Sequence, residues 1–478
     1  MTGENKVRGT GAIVFAVAFL ISAVVVLPAG GSAKSWYPKE WDEQVAPIAA
    51  KVAKFRGMPF KHPVKIVFLN EAEFEKDFEV DEAELSVQDK ELAAQGAAMF
   101  RALGLVGGKV DMLKAMEQTQ ISGVLAYYDH EREEIVVRGT KLDASHRVTL
   151  AHELTHVLQD QYLDLDALGA QADESEIGDE GAYRGLVEGD ANRIEHKFED
   201  QMPAKEKAAY ERQQAKDGAD FDKDIEGVPP VFPLLFGAPY IFGPTTIQIL
   251  DKTGGNEAID TAISGPTPTS RLFTEPAQLD NPEPPGRPAA PDDAEVLDES
   301  SFGPFEAYLT LGMHLSPVRA LAAADAIDSG RAVTYKEDGK VCVRAAFSPR
   351  SKGSPEFLRA AFTEWAGART GARVTKDDLG FVACDPGTKV APPSKQLFDD
   401  LTRTLVVRNS FTAGLVDEDQ KLPFARCAAR MWMAYPGMAE ASVAAFDREF
   451  NAAEQQLARE AGGAAGTACR EDPNSGLP

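Results

Sequence analysis

Residues 143–160 read DASHRVTLAHELTHVLQD, and the reading of this stretch decides the fold around it. Asp143-Ala144-Ser145 offers a side-chain oxygen to the first free amides of a helix. The residues that follow carry Val148, Leu150, Ala151, Leu154, Val157 and Leu158, an apolar set suited to burial rather than to a solvated face. Within that apolar helix stand His152 and His156. Four residues of separation put both imidazoles on one helical face, close enough to grip one small cation. Glu153, one step from the first histidine, can reach a water beside the cation without binding the cation itself. The chain has only 7 histidines, so composition alone yields an H-E-x-x-H pattern in about 1% of such chains. The alternative is a pair of core histidines satisfied by backbone or carboxylate groups.

A catalytic zinc site takes three protein ligands and keeps one position open, so a third ligand is needed. A continuation with glycine at 159 and histidine at 162 is absent, because the chain has Gln159 and Tyr162 there. A carboxylate from a later helix is the other common solution. Glu188, in Leu186-Val187-Glu188-Gly189-Asp190-Ala191-Asn192, is the leading candidate, with Gly189 and Ala191 small enough to let its helix approach the first. His196, two turns further among charged residues, competes with it. Asn192, four residues after Glu188, and Asp190 are candidates for orienting a ligand histidine. Tyr240, in Pro239-Tyr240-Ile241-Phe242-Gly243, and Arg271 are candidates for an oxyanion donor, each with a structural role as the alternative.

HELTHVLQDQ (152–161) followed by LVEGDA (186–191) resembles the gluzincin branch of the zincin metallopeptidases. It is similar in particular to exported bacterial metallopeptidases with HELTHxLQDQ and EGDA signatures. The likeness extends to Val136-Val137-Arg138-Gly139 and to Pro266-Thr267-Pro268-Thr269-Ser270, although only the two metal helices are specific. What the resemblance implies is a zincin-like domain with Zn2+ held by His152, His156 and Glu188, Glu153 as catalytic base, and a peptide or protein substrate. The 31 residues between His156 and Glu188 exceed the usual compact connection, which leaves the acidic loop between them unassigned. That loop, Asp173-Glu174-Ser175-Glu176 to Asp179-Glu180, is a calcium candidate without EF-hand spacing. The rival from another class is a non-catalytic scaffold in which zinc staples two helices.

Outside this region, Lys6 and Arg8 precede an apolar run from Gly11 to Pro28 and the small residues Ala29 to Ala33. Residues 1–33 therefore read as a signal peptide or an N-terminal membrane anchor, and the rest of the chain as extracytoplasmic, secreted or membrane-anchored. Four cysteines, Cys342, Cys384, Cys427 and Cys469, suit that compartment. Sequence order favours disulfides 342–384 and 427–469, the second closing a pair of helices over Leu422–Met433 and Met438–Ala461. With 75 Asp and Glu against 50 Lys and Arg, the net charge of −25 makes a nucleic-acid partner a poor expectation.

The expected fold class is α+β. A zincin-like domain over 34–274 holds a helix over 40–55, a strand over 64–69, a helix over 82–105 and a hairpin over 121–139. After the metal helix comes an acidic connection over 164–180, then helices over 182–198 and 205–216 and an apolar stretch over 229–250 that ends helical. The Pro- and acid-rich segment 275–299 is a linker or surface strap. A smaller α+β C-terminal domain over 300–478 carries the cysteines, with a hairpin around Asp338-Gly339, a helix over 355–367 and strand over 372–384.

Overall fold

The carboxylate of Asp143 accepts from the His146 amide and starts the helix that carries both histidines, Ala144–Leu163. The computed structural model describes residues 37–78, 85–446 and 448–478, so the segment expected as signal or anchor at 1–33 lies outside the described residues. The chain runs α1 (Ala46–Arg56), β1 (Lys65–Leu69), α2 (Glu71–Lys76), α3 (Val87–Leu103), α4 (Met112–Gly123), β2 (Ala126–Asp129), β3 (Glu134–Arg138), α5 (Ala144–Leu163), α6 (Leu165–Asp173), α7 (Glu180–Glu199), α8 (Ala204–Asp224) and α9 (Val231–Ile263). It continues α10 (Arg271–Thr274), β4 (Glu295–Ser301), α11 (Pro304–Gly312), α12 (Pro317–Asp325), β5 (Ile327–Glu337), β6 (Lys340–Pro349), α13 (Ser354–Gly367), β7 (Ala372–Val374), β8 (Gly380–Cys384), α14 (Lys395–Asp417), α15 (Leu422–Ala434), α16 (Met438–Ala444) and α17 (Ala452–Glu471). The fold is mixed α+β, with one three-stranded and one five-stranded sheet.

The expected hairpin forms as β2 and β3, and β1 joins β3 in parallel, giving the order β1-β3-β2 with β2 at an edge. Alternation along β3 serves two cores. Ile135 and Val137 pack with Val148, Leu154 and Leu158 of α5, while Val136 faces Phe74 and Tyr127 on the other side. Leu150, Leu154, Val157 and Leu158 are fully buried. At about 2 kcal/mol each they outweigh the roughly 1 kcal/mol of the Asp143 cap, so packing rather than local propensity holds α5 in place.

Three expectations change in detail. The acidic connection is not irregular throughout, because Asp164 caps α6 by accepting from the Ala167 amide. The stretch over 438–461 divides into α16 and the start of α17, and α14 has no counterpart among the predicted elements. Gly189 does not serve the approach to α5. It faces α9, where a Cβ would meet Ile247 at 2.7 Å, and a Cβ on Gly243 of α9 would stand 2.0 Å from the Gly185 carbonyl oxygen. Helices α7 and α9 therefore cross backbone to backbone.

The segment 275–299 starts at the buried Glu275 and Pro276, then runs largely over the surface as a strap that ends in β4. Its Glu283 carbonyl accepts from the Ser329 hydroxyl (2.8 Å) and its Ala289 carbonyl from Arg344 (3.1 Å). The second sheet, β4-β5-β6-β8-β7, is antiparallel throughout, and the tight β5–β6 turn uses Asp338 and Gly339 at φ 50° and 74°. The largest core crosses the strap: Phe100, Phe232 and Phe242 belong to the same apolar cluster as Phe305, Phe347 and Trp365. Disulfides join Cys342 to Cys384 between β6 and β8, and Cys427 to Cys469 between α15 and α17. Both suit an oxidising, extracytoplasmic compartment. Among the described residues no helix is long and apolar enough to cross a membrane.

Candidate metal centre

Helix α5 presents His152 and His156 toward α7, and α7 returns Glu188. His152 Nε2 lies 3.1 Å and His156 Nε2 3.3 Å from the same oxygen, Glu188 Oε2. Two donors each about 2.0–2.1 Å from a tetrahedral ion stand about 3.3–3.4 Å apart, so the spacing suits an ion of zinc's size between them. The His156 Nε2 atom is buried and makes no hydrogen bond, and a cation there would satisfy it. These three residues are the one group of three or more His, Cys, Asp or Glu among the described residues whose atoms gather closely enough to hold a metal ion.

The electrostatics favour positive charge here. Burial works against the Glu188 carboxylate, yet His156 and His152 beside it hold it well below the usual carboxylate range. Burial likewise opposes charge on His152, but Glu188 and Glu195 outweigh it and push its pKa up to about 9. A field that holds a proton so firmly on an imidazole also attracts a cation that competes with that proton.

Each ligand histidine is oriented through its other ring nitrogen. His152 Nδ1 lies 3.0 Å from Glu195 Oε2, and His156 Nδ1 donates to Gln159 Oε1 at 2.8 Å, which turns its Nε2 toward Glu188. Gln159 is fixed in turn by donating to the Val187 carbonyl and to Asp190 Oδ2, both at 3.0 Å. Asp190 also takes Arg193 at 2.7 Å and lies 3.2 Å from Arg56, so a buried polar network ties α1, α5 and α7 behind the centre. Of the two residues expected to orient a histidine, Asp190 acts through Gln159. Asn192 does not: its amide reaches the Tyr240 carbonyl of α9 at 3.5 Å. Sequence reasoning missed Glu195 and Gln159, although helical spacing marks both, seven residues after Glu188 and three after His156.

Glu153 is completely buried, and its Oε2 accepts from the Tyr128 amide of the edge strand β2 at 2.8 Å. The Tyr240 ring stacks toward His152 with centroids 6.3 Å apart, which brings α9 over the centre. Arg271 is elsewhere: its guanidinium donates to the Ile327 carbonyl at 2.8 Å and pairs with Asp328, a structural tie and not an oxyanion donor. His196 is exposed and outside the ligand group. The acidic loop does not gather three ligands for calcium, because Asp179 caps α7 through the Ala182 amide and Glu176 pairs with Arg287 and Arg331.

Compared with protein-family models, with curated proteins and with solved structures, the chain finds no match.

Proposed function

We propose that the chain is a zinc-dependent peptide-bond hydrolase of gluzincin type that works outside the cytoplasm. The observation that carries this reading is the meeting of His152, His156 and Glu188 around one small volume, with the Glu153 carboxylate on the turn between the two histidines. Zinc in such a donor set supplies a Lewis acid and a water of lowered pKa. Glu153 takes the proton of the attacking water and returns it to the leaving amine. Its hydrogen bond from the Tyr128 amide aims the carboxylate. The experiment compares zinc-loaded wild type with Glu153→Gln on a peptide library. Equal zinc content with cleavage lost only in the variant supports the proposal, and a zinc-loaded wild type that cleaves no peptide sinks it.

A second reading is a zinc staple without catalysis, favoured by one observation: His152, Glu153, His156 and Glu188 are all 2% exposed or less. A staple predicts that chelation lowers the melting temperature equally in wild type and Glu153→Gln while neither hydrolyses anything. The hydrolase is preferred because it gives the Glu153 carboxylate, one residue from a ligand, a proton to carry beside its bond from the Tyr128 amide.

A further inference from the structure

Along α7 from Glu188 toward its N-terminus, Arg184 and Gly181 continue the same helical face. With Leu235 and Pro239 of α9 they line a cavity of about 460 Å3, within the range of about 300–1,000 Å3 common for ligand pockets. Arg184 joins the cavity to the metal centre, its Nη2 lying 3.9 Å from Glu188 Oε1. At the helical rise, the Cα atoms of Arg184 and Gly181 are about 6 and 10 Å from that of Glu188. An extended peptide covers that distance in about two to three residues.

The cavity wall holds seven carboxylates against three arginines. Arg287 and Arg331 are engaged by Glu176, and Arg287 also by Glu299. Glu306, 7% exposed, has only neutral donors, the Ser270 hydroxyl at 2.5 Å and the Gly303 amide at 2.8 Å. Asp179 accepts from the Ala182 amide. Among the described residues no cation pairs with either carboxylate. Burial raises the pKa of both, and the charge of Glu306 helps push Asp179 to about 8. Uncompensated carboxylates at the wall of a cavity are unfavourable until something positive enters.

We propose that this cavity is a specificity pocket for a lysine or arginine side chain of the peptide substrate. The cationic head sits against Glu306 and Asp179, and the aliphatic stem lies along Leu235, Pro239 and Phe273. The assignment rests on the hydrolase reading, and its test is separable from it. Fluorogenic peptides carrying lysine, arginine, norleucine or glutamate on either side of the scissile bond are offered to the zinc-loaded full chain and to its Glu306→Gln and Asp179→Asn variants. Asparagine keeps the α7 cap, so Asp179→Asn covers the case in which Glu306→Gln does not fold. Wild type is expected to favour lysine over norleucine in kcat/KM by about 30-fold, and each variant to bring that ratio down to about 3-fold or less. Equal treatment of all peptides by wild type, or a loss in the variants that is uniform across peptides, overturns the pocket. A calorimetric titration of a lysine peptide into zinc-loaded Glu153→Gln, with and without Glu306→Gln, reads binding alone. Lysine-selective binding that Glu306→Gln abolishes supports the pocket even if no peptide is cleaved, an outcome that sinks only the hydrolase. Equal binding of lysine and norleucine peptides, or calcium binding lost with Glu306→Gln and no lysine preference, overturns it.

Discussion

Replacing Glu195 with alanine removes the group that holds His152 at its outer nitrogen while leaving all three proposed ligands in place. Glu195 Oε2 lies 3.0 Å from His152 Nδ1, and the carboxylate is 22% exposed. A hydrogen bond to a charged group contributes about 1.5–3 kcal/mol when buried, and this degree of exposure points to the lower half of that range. About 1.5–2 kcal/mol is roughly 10- to 30-fold in zinc affinity, inside the span measured for outer partners of metal-binding histidines. Glu195→Gln keeps an acceptor and loses the charge, so about half the free energy, roughly fourfold, is expected. The fold survives both changes, since the other contact of Glu195 is a 3.4 Å bond from the Tyr210 hydroxyl. The assay is competition for zinc against a chromophoric chelator at fixed neutral pH, with melting curves to confirm folding. Asn192→Ala is the control, because Asn192 bonds the Tyr240 carbonyl and no histidine; its zinc affinity should stay within about twofold of wild type. Wild-type affinity in Glu195→Ala, or an equal loss in Asn192→Ala, would show that His152 is not oriented as described.

Three further outcomes follow from other parts of the fold. Gly243→Ala places a methyl group 2.0 Å from the Gly185 carbonyl oxygen, a backbone atom that cannot turn aside, so chemical denaturation should show a loss of about 3 kcal/mol or more; an unchanged midpoint refutes the close helix crossing. Burial opposes the Glu275 charge, but Arg350 at 2.7 Å and Arg430 at 2.6 Å, with Arg426 nearby, hold its pKa down to about 2. A folded pKa below the unfolded one means the stabilisation is present above about pH 4.5 and is lost as pH falls toward 2, roughly 3 kcal/mol in all. Urea midpoints measured across that window should fall with pH in wild type and change less in Glu275→Gln; parallel profiles would contradict the pairing. Reduction of the two disulfides, each spanning a sequence separation of 42, removes loop constraints of about 4 kcal/mol apiece and should lower the melting temperature, with Cys427→Ala/Cys469→Ala showing about half of the effect.

The metal helix was legible because its evidence is local. The Asp143 cap, the apolar face and the four-residue spacing of His152 and His156 are properties of one continuous turn sequence, and no tertiary contact is needed to put two imidazoles side by side. The β5–β6 turn was legible for the same reason, since Asp338-Gly339 favours the left-handed backbone that a two-residue hairpin needs. Glu195 lies on a second helix and acquires its role only when α7 is docked on α5, so its seven-residue offset from Glu188 was visible without being informative. Gln159 lies on the metal helix itself, yet it reads as one more polar residue until Val187 and Asp190 fix its amide. Gly189 misled because a small residue announces a close approach without naming the partner, which turned out to be α9.

By itself the sequence determined the α+β class, the pair of imidazoles on one face and the leading carboxylate for their third partner, and it favoured the order in which the cysteines pair. These are matters of periodicity, residue chemistry and proximity along the chain. Tertiary structure alone decided that Glu188 Oε2 meets both Nε2 atoms, that α9 covers the centre, that the acidic loop caps and pairs instead of gathering three ligands, and that Glu306, 118 positions beyond Glu188 in sequence, shares a cavity wall with its helix. The physical reason is that direction and burial are set by how helices cross, and a crossing such as that of Gly185 with Gly243 depends on side chains too far apart in sequence to leave any local pattern.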